Sequence, residues 1–213
     1  MPLAEPAHIA ALARTVVMGG AGGVRIEGLD NIAAVRRVVD RPMIGLVKAR
    51  GGETDVYITP TLADALAVIA AGADIVAFDA THRARPADVA ALCAVIRDQG
   101  RLSMADVSTA DEGKTAIEAG ADIISTTLSG YTPYSRQLTE PDFSLMEELS
   151  ARGVPFAAEG RIWSTAHAMR AFELGAAFVV IGGAISRPDA ITRRFVDAVA
   201  DTSAHQARGS ISR

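Results

Sequence analysis

The chain has one cysteine, few aromatics, no surplus of basic charge and no long apolar run, and each shortage excludes a class of function. Cys93 alone cannot build an intrachain disulfide framework, which points to a reducing compartment. Within the run Val89–Ile96 it reads as a small buried helix residue rather than a nucleophile. Aromatics make up only 5% of residues against 49% hydrophobic, a balance suited to helices packed tightly on a sheet rather than to an aromatic binding surface. The formal net charge of −4 and the pI near 5.6 give no electrostatic footprint for nucleic acid. No apolar run approaches the roughly 20 residues that span a bilayer. The start, Met1-Pro2-Leu3-Ala4-Glu5-Pro6, lacks the basic and apolar regions of a signal peptide, so the cytoplasm is the expected location, with no membrane partner.

What the chain does contain is a regular alternation of short apolar runs and helical periods. Candidate strands fall at Gly23–Ile26, Met43–Lys48, Asp74–Asp79, Leu102–Asp106, Asp122–Thr127, Pro155–Glu159 and Phe178–Gly182. Their near-continuous apolar interiors suit parallel strands covered on both faces. Helix starts are marked by Thr109 with Glu112, by Thr61 with Asp64, and by Asp142 and Ser164 as caps. A degenerate repeat places Gly-Ala after three helices, at Gly72, Gly120 and Gly175, where a positive φ lets the chain turn into the next strand. Strict βα alternation without a dinucleotide fingerprint favours a closed barrel over an open doubly wound sheet. The expected fold is one α/β domain over residues 1–213, a phosphate-binding (β/α)8 TIM barrel, with flexible ends at 1–6 and about 202–213. An eightfold barrel needs a further strand, and the first 22 residues show a helical pattern (Ile9, Leu12, Val16, Val17) with no strand before it, so the first β-strand is missing.

In such barrels the chemistry lies at the C-terminal ends of the strands. Arg25 lies inside the first run, and Lys48, Asp79, Asp106 and Glu159 close later ones, as do Thr126 and Thr127. Charges of both signs converging on one mouth favour a site over a purely structural network, since each is costly to bury unpaired. After the last strand, Gly182-Gly183 offers bare amides that phosphate oxygens can approach, with Arg187 close behind for a charge-assisted contact. Asp106 could equally orient Lys48, hold a sugar hydroxyl or form a structural hydrogen bond. The histidines at 8, 82, 167 and 205 are scattered without metal-ligand spacing, so no metal is expected. The loop Ser129-Gly130-Tyr131-Thr132-Pro133-Tyr134 is long enough to shape a substrate, or to pack its tyrosines on the surface.

The segments Gly23–Gly28, Ile44–Lys48, Phe78–Thr81, Met104–Thr109, Thr126–Thr132, Ala158–Ile162 and Ile181–Pro188 resemble, in order and spacing, the N-acetylmannosamine-6-phosphate 2-epimerase family. The Ser-Gly-Tyr-Thr and Ala-Glu-Gly-Arg segments are the most specific. The resemblance implies an isomerase with a (β/α) eightfold barrel, needing no metal or organic cofactor and forming a homodimer. It implies that Lys48 and Glu159 are the catalytic pair, that Arg25 and Asp106 contact substrate, and that Arg187 with Gly182 and Gly183 holds the phosphate. The implied reaction interconverts N-acetylmannosamine 6-phosphate and N-acetylglucosamine 6-phosphate in sialic-acid catabolism. Two departures accompany it. The family's first strand, with a substrate-contacting glutamine, has no counterpart, and the turn at 49–54 is somewhat shorter in character than the family's usual aspartate- and tyrosine-bearing turn. The alternatives are a phosphosugar-binding barrel with lost or altered catalysis and a Schiff-base aldolase using Lys48. An incomplete barrel also exposes strand edges that invite pairing with another chain.

Overall fold

The computed structural model describes residues 2–49 and 54–209. Among them, seven parallel strands alternate with helices along the chain. The strands are β1 (Val24–Glu27), β2 (Met43–Leu46), β3 (Ile75–Asp79), β4 (Leu102–Asp106), β5 (Ile123–Ser125), β6 (Phe156–Glu159) and β7 (Phe178–Val180). Each pairs with its sequence neighbour, in the order β1-β2-β3-β4-β5-β6-β7. This is a (β/α) barrel of seven strands. Among the described residues β1 and β7 are the two edges of the sheet, so the eighth position that closure requires is not filled by a strand.

The helices are α1 (Pro6–Met18), α2 (Leu29–Arg36), α3 (Leu62–Ala70), α4 (Val89–Asp98), α5 (Ala110–Glu118), α6 (Phe143–Ala151), α7 (Thr165–Glu173), the short α8 (Gly183–Ser186) and α9 (Pro188–Gly209). Their starts follow the side-chain chemistry of the sequence. Thr61 and Asp64 close a reciprocal capping box on α3, and Thr109 and Glu112 do so on α5. Asp142 and Ser164 accept from the first-turn amides of α6 and α7. At the other ends Gly72, Gly120 and Gly175 adopt φ of 112°, 96° and 97°, a region that costs a side chain dearly. The helical pattern before the first strand is α1, which carries Ile9, Val16 and Val17 against the core. At the far end α9 continues to Gly209, past residue 202, where the sequence alone places a flexible end.

Several strands are shorter than their apolar runs. The run expected to be β-structure through Lys48 stops at Leu46, because the chain then folds back on itself. Lys48 forms an isolated antiparallel bridge with Ile58, and the amide of Ala49 donates to the carbonyl of Tyr57. After Ser125 the backbone tightens into a 3₁₀ turn over Thr126–Leu128 instead of continuing as strand to Thr127. The last strand ends at Val180, two residues before the expected Gly182. The 49–54 turn falls largely on residues 50–53, outside the described residues.

Strand alternation divides the interior into two layers. Val24, Ile26, Met43, Val76, Phe78, Ala105, Ile124, Phe156 and Ala158 face the helices and form the larger core. Ile44, Leu46, Ala77, Met104 and Ala157 have the opposite parity and fill the barrel, with Ile75, Ile123 and Phe178 against them. The outward layer is closely packed at Gly45, where a Cβ would lie 2.6 Å from Ala73 Cβ and 2.8 Å from Val68 Cγ1. Gly45→Ala is therefore expected to lower unfolding stability by about 1–3 kcal/mol. The control Gly22→Ala, in open space, should stay within about 0.5 kcal/mol of the parent. Urea denaturation of both variants checks this, and equal midpoints would refute the packing constraint.

Candidate active site

The inward parity that fills the barrel with Met104, Ile123 and Ala157 continues upward into polar residues. Met104 is followed on its face by Asp106, Ile123 by Ser125 and Thr127, Ala157 by Glu159, and Leu46 by Lys48. Arg25 shares this face from β1, opposite in sequence parity to its outward neighbours Val24 and Ile26. The mouth is thus the place where one stripe of alternate residues changes from apolar to charged.

Arg25 reaches across the barrel to β4. Its Nη1 donates to Asp106 Oδ1 at 3.0 Å and its Nη2 to Asp106 Oδ2 at 2.6 Å, a bidentate pair. Nη1 also lies 3.6 Å from Met104 Sδ and 3.1 Å from Glu159 Oε2. The guanidinium is 8% exposed and Asp106 is fully buried. Burial alone would lower the pKa of Arg25, but the carboxylates of Asp106 and Glu159 outweigh it and hold the charged form more firmly than in water. Glu159 is shifted the other way. Burial pushes its carboxyl up, opposed by Arg25, assisted by the negative charge of Asp106, and opposed further by Thr127 and Lys48. The net direction is upward, toward a carboxyl that keeps its proton.

Arg25, Asp106 and Glu159 therefore stand together, as the strand-end pattern suggests, and the charge of Lys48 acts on Glu159 from the end of the β2 segment. Lys48 itself is exposed, not buried in the barrel. Asp106 orients Arg25 and Thr127 rather than Lys48. On the β7 side, Gly182 precedes α8 and Gly183 lies at its first turn, with the ring of Trp163 beneath Gly183. Arg187 does not lie over that turn: its guanidinium is half exposed and binds Asp189, with Nη2 2.6 Å from Oδ2. Asp79, which closes β3, is held by Arg83, by Arg85 and by the hydroxyl of Thr81, as a buried structural network.

Three polar residues have larger roles than their sequence signals suggest. Thr127 links the two carboxylates, with Oγ1 2.8 Å from Asp106 Oδ1 and 3.1 Å from Glu159 Oε2. Its place among the strand-end threonines is the signal that could have found it. Glu112, read from sequence only as a helix cap, is fully buried and accepts from five groups: the amides of His82, Ser108 and Thr109 and the hydroxyls of Ser108 and Tyr134. It thereby ties together the loops after β3, β4 and β5. Arg161 sits at φ 58° and donates to the carbonyls of Ser129 and Glu140, joining the loops after β5 and β6. Gly130 leaves room for this, since a Cβ there would lie 2.8 Å from Arg161 Nη1.

A protein-family model, NanE, described as "Putative N-acetylmannosamine-6-phosphate epimerase", matches residues 9–201. A relative from Caldanaerobacter subterraneus subsp. tengcongensis, named "Putative N-acetylmannosamine-6-phosphate 2-epimerase", is 46% identical over 92% of this chain and 84% of its own length. A relative of the same name from Yersinia pseudotuberculosis serotype O:3 is 47% identical over 91% of this chain and 83% of its own. The solved N-acetylmannosamine-6-phosphate 2-epimerase of Clostridium perfringens superposes with a TM-score of 0.90 at 40% identity, covering 92% of this chain and 87% of that one.

Burial pushes the Glu112 carboxyl up, but its donors, the Tyr134 hydroxyl first, then the His82 amide and the amide and hydroxyl of Ser108, outweigh it and lower its pKa. The stability this contributes is fully present above the ordinary glutamate value of about 4.3 and is lost as pH falls through the lower folded value. Glu112→Gln should cost about 1–3 kcal/mol at pH 7. The deficit should narrow below pH 4, as read from urea midpoints at the two pH values. A pH-independent deficit would contradict an ionised Glu112.

Proposed function

Because the chain belongs to the N-acetylmannosamine-6-phosphate epimerase family, we propose that it interconverts N-acetylmannosamine 6-phosphate and N-acetylglucosamine 6-phosphate by exchanging the proton at carbon 2. The observation that carries the reading is the Glu159 carboxyl at the barrel mouth, its Oε2 3.1 Å from the buried guanidinium of Arg25 and 3.1 Å from the Thr127 hydroxyl. Once the sugar ring opens, the hydrogen on carbon 2 lies α to an aldehyde and can be removed. One member of the Lys48–Glu159 pair takes that proton, and the other returns one to the opposite face of the planar enolate. In the reverse direction the roles exchange. In this reading Arg25, held by Asp106, stabilises the developing oxyanion.

The phosphate fits the turn at Gly182 and Gly183, where the first amides of a helix lack partners within it. Arg187 joins by exchanging Asp189 for the phosphate. A homodimer is supported by the exposed apolar residues Phe195, Val196 and Val199 on α9 and by the open edges of β1 and β7. Among the described residues no helix is long and apolar enough to cross a membrane, and Cys93 is a buried free thiol; both agree with a cytoplasmic place in sialic-acid catabolism.

The reading is tested by proton NMR of N-acetylmannosamine 6-phosphate with the enzyme in deuterated water. Deuterium should enter carbon 2 as the second sugar phosphate forms. Lys48→Ala and Glu159→Ala should each slow exchange by at least about 10²-fold while the sugar phosphate still binds. Near-full turnover in either variant, or an adduct on Lys48 trapped by borohydride, would overturn the two-residue mechanism. Arg187→Ala should raise KM by about tenfold with kcat little changed. An unaltered KM would remove Arg187 from the phosphate site.

A further inference from the structure

The oxygens around Thr127 carry an inference that rests on the epimerase reading and extends it. Thr127 Oγ1 lies 2.8 Å from Asp106 Oδ1, 3.1 Å from Glu159 Oε2 and 2.7 Å from Ser125 Oγ. Each such contact needs one proton between its two oxygens, because otherwise lone pairs face each other. The hydroxyls of Ser125 and Thr127 supply two protons for three contacts, so the third must reside on a carboxyl group. Asp106 already accepts a guanidinium N–H at each oxygen, the geometry of an ionised partner. The bonds of Arg25 Nη1 are directed to Asp106 Oδ1 and Met104 Sδ, so toward Glu159 it is a nearby charge and not a hydrogen-bond donor. The carboxyl that can hold the third proton is Glu159.

We propose that Thr127 is a positioning residue whose hydroxyl holds Glu159 in its proton-donating form at rest and reverses its hydrogen bond once that proton has been delivered. At rest Ser125 and the Glu159 carboxyl both donate to Thr127 Oγ1, and Thr127 donates to Asp106. For transfer the Glu159 O–H turns from Thr127 Oγ1 to carbon 2; its O–H bond breaks as the enolate's electron pair forms the C–H bond, and the carboxyl is left as an anion. The proton first removed from carbon 2 is then on Lys48, which takes it as the uncharged amine and becomes the ammonium. The Thr127 hydroxyl rotates from Asp106 Oδ1 to Glu159 Oε2, keeping its own proton and stabilising the new carboxylate. Ser125 continues to donate, and Asp106 keeps both bonds from Arg25. A single hydroxyl thus serves both protonation states of the acid, as a two-way proton donor requires.

The charged groups facing Glu159 are Arg25 from β1, Asp106 from β4 and Lys48 after β2, and all are retained in Thr127→Val. The resting arrangement satisfies three contacts and the ionised one two, so losing the hydroxyl should favour ionised Glu159. In the direction that uses Glu159 as acid, kcat of Thr127→Val should fall by about ten- to a hundredfold at neutral pH. KM should stay within about twofold, and the alkaline limb of kcat should move down by about one pH unit. Thr127→Ser, which keeps the hydroxyl, should recover most of the loss. If Thr127→Val yields little folded protein, Thr127→Cys keeps the volume with a poor hydrogen-bonding sulfur and should show the same shift. An activity-independent readout is the infrared carboxylic C=O band of Glu159, identified by its loss in Glu159→Gln and titrated in parent and variant. Its titration should move to lower pH in Thr127→Val. An active parent with an unchanged kcat profile in Thr127→Val would overturn the role of the hydroxyl and leave the epimerase reading standing. A parent that binds but never turns over the sugar phosphate, yet whose infrared titration shifts on Thr127→Val, would sink the epimerase reading and leave the hydroxyl network intact. No protonated Glu159 band in the parent at neutral pH would overturn the proposal outright.

Discussion

The arrangement at the barrel mouth depends on a buried guanidinium that must be neutralised. Arg25 projects from the first strand into an interior lined by Ile44, Leu46, Met104 and Ala157, where an unpaired charge would cost several kcal/mol. Asp106 meets it from the fourth strand in a bidentate geometry that fixes the plane and position of the guanidinium. Once that pair exists, the positions of the other groups are constrained. A second carboxylate next to Asp106 is repelled by it and attracted by Arg25. Glu159 lies in that balance, and burial tips it toward keeping a proton. A structural ion pair and an acid suited to proton transfer are thus two consequences of one buried charge.

Around this centre the loops are held by buried acceptors. Glu112 gathers donors from three successive βα loops, and Asp79 holds the loop after β3 through two arginines and a threonine. Arg161 joins the loops after β5 and β6 from a left-handed backbone position. These networks leave less conformational freedom to be lost when a small substrate binds. The contrast is with α9, whose residues 192–200 are exposed, the large apolar side chains Phe195 and Val196 among them.

Much of this was legible from local pattern. The capping boxes at Thr61 and Thr109, the caps at Asp142 and Ser164, and the glycines at 72, 120 and 175 report backbone geometry set within a few residues, so sequence spacing suffices to read them. Strand ends were less legible, because an apolar run records burial, not hydrogen bonding. Val47 is buried in part although its strand has ended, and Thr126 is buried in a 3₁₀ turn. The pairing of Arg187 with Asp189 is local, but spacing does not say whether the guanidinium takes that carboxylate or a phosphate, because the two compete for it.

By itself the sequence determined the order of βα units, the parity that places Arg25, Lys48, Asp106 and Glu159 on one face, and the family to which the chain belongs. These follow from periodicity and from matched segments, both properties of the linear chain. Only the tertiary structure decided which charges pair. Arg25 and Asp106 are 81 residues apart, and Thr127 and Glu159 are 32 apart, so nothing in their spacing says that they meet. The pKa of Glu159 is a tertiary property for the same reason, being set by burial and by charges from strands distant in the chain.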